Sequence, residues 1–267
     1  MELRLHPSRN SNTMRAPVIL IGEILGGGTS WAEHAHYLSG SRTVYTATPD
    51  LVSYAAKGCY PPQDWGIKSE SRSLRESLNN LLIGKVHLVG WSMGGTIALD
   101  FALTYPGTIL TLTLVEPQIR WLLRAENLHA QQQVDDLEKF KSFSNSVIDQ
   151  IVVGEFLRMV GVIGDDEVPE ESRAWRLAWD NRLAISNAWK VVAHEENPKR
   201  LLGLDVPTLL VNGEGSGLLD QSMIASLGQL IPNVSHLVLP GFHTSHITSL
   251  GEFLRKFEVF VDANEGP

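Results

Sequence analysis

Ser92 lies at the centre of a spacing that serine nucleophiles require. Residues 90–94 read Gly-Trp-Ser-Met-Gly, which matches G-x-S-x-G. A serine hydroxyl reacts readily only when a base takes its proton and a sharp turn exposes its oxygen. The apolar run Val86–Val89 predicts a buried strand before this turn, and Met93–Leu99 predicts the start of a helix after it. The pattern therefore predicts a nucleophile at Ser92, with a buried serine at a tight turn as the alternative.

Two histidines that could serve as the base follow the last apolar run of the chain. Histidine can take and return a proton near neutrality because its ordinary pKa is about 6.5. His243 lies in the loop after the predicted strand His236–Leu239, and His246 lies at the predicted start of the final helix. The residue types alone leave both histidines as candidates.

Three carboxylates could orient such a histidine: Glu116, Asp220 and Glu214. Glu116 ends the apolar run Ile109–Val115, and α/β sheets gather functional groups at the carboxyl ends of their strands. Pro117 keeps Glu116 out of helical geometry and so holds the strand end extended. These features favour Glu116 as the acid, and Asp220 and Glu214 in the loop after the next strand remain the alternatives.

The oxyanion of an acyl-transfer reaction needs backbone N–H donors. One donor is expected from Met93, the residue after the nucleophile, and the other from the glycine-rich loop Ile21–Thr29 after the first long strand. In that loop Glu23 or Ile24 could supply the N–H, and we favour Ile24. A Glu23 carboxylate aimed at the oxyanion would oppose catalysis, so we expect it to point away or to contact a polar group of the substrate. The alternative is a glycine-rich turn without a catalytic part.

The elements that would position these residues follow from the hydrophobic pattern. Short runs rich in Val, Ile and Leu alternate with longer amphipathic stretches, which predicts a mostly parallel sheet, buried on both faces, with helices on each side. The predicted strands are Val18–Ile21, Thr43–Ala47, Val86–Val89, Ile109–Val115, Thr208–Val211 and His236–Leu239, with room for a short one at Glu2–His6. The predicted core helices are Ser30–Ser39, Ser69–Leu82, Met93–Tyr105, Leu219–Leu230 and Thr248–Asp262.

One interval interrupts this alternation. Residues 117–205 contain no strand-like run but several helical ones, at Val134–Phe143, Ser146–Val160 and Ser172–Ala193. An insertion of this kind between two core strands predicts a helical lid. The chain therefore divides into a core domain of residues 1–116 and 206–267 and a lid of residues 117–205.

The predicted lid region is rich in tryptophan. Trp121, Trp175, Trp179 and Trp189 lie there, and Trp175 and Trp179 have the spacing of one helix face. Such a stripe either packs against the core or forms an aromatic wall for a bulky apolar substrate. In the second case the four tryptophans, together with Glu23, are candidate substrate-binding residues.

The composition of the chain limits its possible partners and cellular location. The 267 residues suffice for one large α/β domain, and 22 basic against 30 acidic side chains give a net charge of −8, which disfavours nucleic acid as a partner. No apolar run reaches the roughly 18 residues of a membrane span, and residues 1–17 lack the apolar stretch of a secretory signal. The single cysteine, Cys59, can form no internal disulfide, and no helix start lies behind it to activate the thiol. We expect a cytoplasmic protein that acts on a small molecule without a metal or other cofactor.

The segment around Ser92 resembles the nucleophile elbow of the α/β-hydrolase superfamily, and the resemblance extends at motif level from about Pro17 to Val261. It implies His243 as the base, with His246 as the alternative. The chain departs from the superfamily where Ile21 replaces a histidine before Gly22 and where Ser216 occupies the usual position of the acid. The second departure strengthens the case for Glu116.

The order Ser92, Glu116, His243 is similar to that of the fungal zearalenone lactonases. Residues 18–31 and the Leu-Pro-Gly-Phe-His of residues 239–243 also resemble that group, whereas the lid does not align well. In that group a lid tryptophan contacts the lactone, which implies such a role for Trp179 or Trp189.

The expected function is hydrolysis of a carboxylic ester or lactone of a bulky apolar compound through an acyl-Ser92 intermediate. A C–C hydrolase, lyase or polyketide-tailoring enzyme could use the same residues. A small-molecule receptor that kept the fold without turnover is the alternative from another class.

Overall fold

A computed structural model describes residues 1–10 and 15–265 of the chain. Its centre is one sheet with the strand order β1-β3-β2-β4-β5-β6-β7, in which β1 is antiparallel to β3 and all other neighbours are parallel. The strands are β1 Glu2–His6, β2 Val18–Ile21, β3 Val44–Thr48, β4 Val86–Trp91, β5 Ile109–Val115, β6 Thr208–Gly213 and β7 Val234–Leu239. The mostly parallel α/β fold expected from the sequence is confirmed.

The helices alternate with these strands. They are α1 Ala32–Leu38, α2 Asp50–Ala56, α3 Ile67–Asn80, α4 Met93–Thr104, α5 Arg120–Ala125, α6 Ala130–Ser144, α7 Gln150–Met159, α8 Trp175–Asp180, α9 Ala188–Val192, α10 Leu218–Leu230, α11 Ser245–Thr248 and α12 Leu250–Ala263. No helix in residues 1–10 and 15–265 combines the length and the apolar character needed to cross a bilayer.

Two apolar layers cover the sheet, one on each face. In β2, Val18 and Leu20 join the layer that contains residues of α1 and α12, whereas Ile19 and Ile21 join the layer that contains residues of α3, α4 and α10. This division follows from the alternation of side chains along a strand. It explains why β2 reads as a continuous apolar run in the sequence, because both faces of this central strand are buried.

The last strand departs from the expectation of a fully buried run. β7 pairs only with β6 and lies at the edge of the sheet, so His236 and Val238 are exposed, Val238 by 45%. A continuous apolar run does not distinguish a central strand from an edge strand. α2 was not expected from the sequence at all, since its seven residues are too few for a clear helical period.

The segment between β5 and β6, every residue of which the structure describes, contains helices α5 to α9 and short 3-10 turns but no strand. The predicted helix Ser172–Ala193 is in fact interrupted: α8 ends at Asp180, a 3-10 turn spans Arg182–Asn187, and α9 follows. Residues of α6, α7 and α9 belong to the same apolar cluster as the core helices α3 and α4.

Candidate active site

Ser92 lies on a sharp turn between β4 and α4. Its backbone has φ 54° and ψ −121°, a region that non-glycine residues rarely adopt. The flanking glycines are sterically required: a Cβ on Gly90 would lie 2.2 Å from the carbonyl oxygen of Gly94, and one on Gly94 would lie 2.4 Å from that of Ile21. The G-x-S-x-G spacing therefore allows the backbones to approach closely enough to hold the strained turn.

His243 lies between Ser92 and Glu116. It lines the same cavity as Ser92, and its Nδ1 is 2.6 Å from Glu116 Oε2. The indole Nε1 of Trp91 donates a hydrogen bond of 3.0 Å to the backbone carbonyl of His243 and fixes the loop. No hydrogen bond joins Ser92 and His243 within the described residues, and such bonds often tighten only when substrate binds.

Ser216 occupies the position where the superfamily usually has the acid, and here it supports Glu116 instead. Its hydroxyl donates a hydrogen bond to Glu116 Oε1, and the backbone N–H of Gly213 donates a second one of 2.8 Å to the same oxygen. Glu116 is fully buried, and its backbone has φ 42°, in the left-handed region. With the contact to His243, three hydrogen bonds hold its carboxylate, which has no access to water.

Electrostatics favour an ionised pair. Burial opposes ionisation of Glu116, but the hydrogen bond and charge of His243, with the bonds from Ser216 and Gly213, hold the pKa of Glu116 below its ordinary value. Burial likewise disfavours the imidazolium of His243, yet the hydrogen bond to Glu116 and the charge of Asp220 raise its pKa above the ordinary value. The pair can therefore hold a proton on His243 while Glu116 stays charged.

The loop after β2 presents the backbone in the manner expected of an oxyanion site. Met93 begins α4, so its N–H has no intrahelical acceptor, and the N–H of Ile24 has no acceptor among the described residues. Both residues line the cavity beside Ser92. The structure therefore brings the two predicted donors to the cavity that Ser92 also lines.

Glu23 turns its carboxylate back onto its own loop. Oε2 accepts a hydrogen bond of 2.5 Å from Leu25 N, and Oε1 accepts bonds from Gly26 N at 2.5 Å and from Ser30 Oγ at 2.7 Å. Burial raises the pKa of Glu23 despite these bonds. The side chain borders the cavity, but these internal hydrogen bonds engage both of its oxygens.

The alternative candidates fall in different places. His246 is fully buried behind the site, between Trp31 and Trp91, and neither of its ring nitrogens has a hydrogen-bond partner among the described residues. Glu214 is exposed, and its carboxylate is not part of the cluster around His243. Neither residue is placed to touch a substrate at Ser92.

Asp220, the other alternative acid, belongs to the cluster. One oxygen each of Asp220 and Glu116 and one ring nitrogen of His243 lie within 4.8 Å of one another, and Asp220 Oδ1 accepts a hydrogen bond of 2.9 Å from Gln118 Nε2. Carboxylate and imidazole groups are possible metal ligands, but here the three side chains already form hydrogen bonds within the protein.

The cavity beside Ser92 has about 490 Å³ of empty space, including the part open to solvent. Its polar border consists of Glu23, Ser92, Gln118 and His243. The segment between β5 and β6 supplies an apolar wall of Phe140, Phe156, Val160, Val162, Ala188, Val191 and Val192. The end of this wall reaches His243, since a Cβ on Gly161 would lie 3.6 Å from His243 Cβ.

None of the four tryptophans is among the residues that line this cavity, which favours the packing alternative for them over an aromatic wall. Trp121 is buried in the core, and Trp175 and Trp179 stack on each other with ring centroids 6.0 Å apart. Arg182 lies over the Trp179 ring, and Trp189 packs against the core beside Lys190. Trp175 and Trp179 share one helix face and stack on each other, whereas phenylalanine and valine side chains line the cavity.

Comparison with known proteins gives a consistent assignment. The family model described as alpha/beta hydrolase fold matches residues 52–250. The chain is similar to RutD of Pseudomonas savastanoi, a protein named for carbamate hydrolysis, with 25% identity over 93% of this chain and 95% of that one. It is also similar to the lipase LipV of Mycobacterium tuberculosis, with 29% identity over 45% of this chain and 44% of the lipase.

Among solved structures, an esterase from Exiguobacterium antarcticum superposes with a TM-score of 0.78 at 14% identity, covering 97% of this chain and 94% of the esterase. The likeness at this identity concerns the fold alone. The matched family model covers most of the chain, including the strand and turn that carry Ser92 and the loop that carries His243. The chain therefore belongs to the α/β-hydrolase fold family.

Proposed function

We propose that the protein is a serine hydrolase that cleaves a carboxylic ester or lactone of a bulky apolar compound. The observation that carries this proposal is the 2.6 Å contact between His243 Nδ1 and Glu116 in the cavity where Ser92 lies on its strained turn. The apolar wall supports a bulky apolar substrate, because burial of apolar surface would supply most of the binding free energy.

In the proposed reaction, Ser92 Oγ attacks the substrate carbonyl while His243 takes its proton. Glu116 stabilises the imidazolium that forms, and the N–H groups of Met93 and Ile24 receive the oxyanion. Collapse of the intermediate expels the alcohol, which takes the proton from His243. Water, deprotonated by the same His243, then releases the acid from Ser92.

In this proposal residues 117–205 act as a lid over a core formed by residues 1–116 and 206–267. Apart from Gln118, the side chains that this lid contributes to the cavity are apolar, whereas Glu23, Ser92 and His243 come from the core. It would exclude water and select substrates by the shape of their apolar part.

A fluorophosphonate probe tests the nucleophile directly, since it forms a covalent bond with an activated serine. We expect stoichiometric labelling of the wild-type protein and none of Ser92→Ala, which should fold normally and lose about 10⁴- to 10⁶-fold in kcat. A Ser92→Ala variant that kept more than about a tenth of the wild-type rate would exclude Ser92 as the nucleophile.

The substrate class needs a separate experiment. A panel of macrolactones, aryl esters and acyl thioesters should show the highest kcat/KM for a bulky apolar ester or lactone. Labelling of Ser92 without turnover of any ester would favour a C–C hydrolase, lyase or polyketide-tailoring reaction. The absence of both labelling and turnover would favour a receptor.

A further inference from the structure

Two carboxylates, rather than one, face the imidazole of His243. Glu116 bonds to Nδ1 directly, and Asp220 brings a carboxylate oxygen within 4.8 Å of a ring nitrogen. Asp220 comes from the start of α10 and Glu116 from the end of β5, so two separate elements place negative charge at one base.

Asp220 is held in this position. Its Oδ1 accepts a hydrogen bond of 2.9 Å from Gln118, which follows Glu116 by two residues and borders the cavity. Two residues in one β5–α5 connection thus bind the imidazole and the second carboxylate separately. A surface carboxylate that lay near His243 by chance would not need such a partner.

The charges in this cluster are interdependent. Burial raises the pKa of Asp220, and the Glu116 charge adds to the rise, whereas a charge on His243 lowers it. The other charged or titratable groups that act on the cluster are Glu23 on the loop after β2, Arg120 on α5 and His246 on α11. Of these, Glu23 raises the pKa of His243 in the same sense as Asp220 does.

We propose that Asp220 is a positioning residue that shares with Glu116 the stabilisation of the His243 imidazolium, so that the site has two acids for one base. This inference rests on the proposed serine hydrolysis. A charge at this distance in a buried site interacts with the imidazolium without a direct hydrogen bond. The charge of Asp220 would also let the site keep part of its activity in Glu116→Gln. In that variant the amide oxygen could still accept the hydrogen bond from His243 Nδ1, while Asp220 supplies the negative charge.

The test is a double-mutant cycle on Glu116→Gln and Asp220→Asn, with kcat/KM measured against pH on a short-chain aryl ester. In the wild-type background, Asp220→Asn should reduce kcat by about three- to tenfold and move the acidic limb of the profile to lower pH. In the Glu116→Gln background it should reduce kcat by at least a further factor of about 30. Glu214→Gln is the matched control, because it removes an exposed carboxylate from the loop that leads from β6 to the helix of Asp220.

The pKa of His243 is the second readout, followed by NMR of the imidazole in Ser92→Ala with and without Asp220→Asn. It should fall when Asp220 loses its charge and should not move in Glu214→Gln. This measurement needs no turnover, so it separates failure of the inference from failure of the proposed function. Equal effects of Asp220→Asn in both backgrounds, or an unchanged His243 pKa in a folded protein, would overturn the shared role.

Discussion

His243 and His246 illustrate how much the surroundings of a residue determine its chemistry. The first ring borders the cavity and bonds to Glu116, whereas the second is enclosed by aromatic rings with both nitrogens unpaired among the described residues. Burial and the charges of His34 and His243 lower the pKa of His246 well below its ordinary value, so His246 remains neutral. Because aromatic rings enclose His246 and it is not among the residues that line the cavity, its ring is not placed to accept a proton from Ser92.

His243→Ala should therefore reduce kcat by about 10⁴-fold or more, because the hydroxyl of Ser92 would lose its proton acceptor. Combining it with Ser92→Ala should cost little more, since the two residues act as one unit. His246→Phe, which keeps an aromatic ring in the same space, should stay within about tenfold of the wild-type kcat. Steady-state kinetics on an aryl ester measure these effects. A larger loss of kcat in His246→Phe than in His243→Ala would make His246 the base.

The sequence carried a clear signal for residues that lie at strand ends. Ser92 lies in a motif with steric requirements, and Glu116 ends an apolar run before Pro117. Gln118 carried no such signal, because its contact with Asp220 joins positions 102 residues apart. Side-chain pairs across that separation depend on how the elements pack, and periodicity in a single sequence does not encode it.

At the scale of elements, the loop after β2 depends on the carboxylate of Glu23. Its three internal hydrogen bonds hold Leu25, Gly26 and Ser30 around Ile24, the expected oxyanion donor. Glycines also permit this loop, since a Cβ on Gly22 would lie 1.8 Å from the carbonyl oxygen of Gly27. The loop is thus shaped by close backbone approach and fixed by one side chain.

Glu23→Gln should lower kcat by about tenfold or more and leave KM within about twofold. The glutamine amide has one acceptor oxygen, whereas the two oxygens of the Glu23 carboxylate now accept hydrogen bonds from Leu25, Gly26 and Ser30. The loop would therefore lose part of its support, and the N–H of Ile24 would lose its fixed direction. Kinetics on an aryl ester report both constants, and Glu33→Gln, an exposed position on the nearby α1, is the control. A change confined to KM would instead indicate that Glu23 contacts the substrate.

The segment between β5 and β6 supplies the apolar wall of the cavity, and its role in selecting substrates can be tested at Val162, which lies in the turn after α7. Val162→Phe adds a ring to the cavity and should raise KM for a bulky ester at least about fivefold more than for an acetate ester. Trp179→Ala is the comparison, because Trp179 stacks on Trp175 and is not among the residues that line the cavity. It should lower the melting temperature and leave the ratio of the two KM values unchanged; a shift of that ratio in Trp179→Ala would return the tryptophan to the substrate site.

For the whole molecule, buried neutral histidines link folding to pH. Burial lowers the pKa of His34, His87 and His194 to about 4. The pKa of His246 is lowered well below its ordinary value by burial and by the charges of His34 and His243. His34, His87 and His246 are almost fully buried, distributed over α1, β4 and α11. In the unfolded chain these four histidines would become protonated as the pH falls through about 6.5, whereas in the folded chain they stay neutral to lower pH.

The contribution of these histidines to stability should therefore be fully present above about pH 6.5 and should be lost as the pH drops from about 6.5 toward about 4, because over that window they bind more protons in the unfolded state. The buried carboxyl of Glu70, whose pKa is raised to about 7, acts in the opposite direction over much of the same window, so single-histidine variants are needed to isolate the histidine contribution. His34 alone accounts for on the order of 3 kcal/mol at the acid end, since one pKa unit corresponds to about 1.4 kcal/mol. Glu116 adds in the same direction at lower pH because its pKa is depressed in the fold.

Urea unfolding of Ser92→Ala at pH 7.5 and at pH 5.0 measures this difference without interference from turnover. His34→Gln should reduce the difference between the two pH values, because one titrating group is removed and the amide can still donate to the backbone carbonyl of His246, as His34 Nε2 now lies 3.2 Å from it. His36→Gln is the matched control, an exposed histidine on the same helix α1, and should leave the difference unchanged. If His34→Gln unfolds with the same pH dependence as its parent, the acid sensitivity comes from groups other than His34.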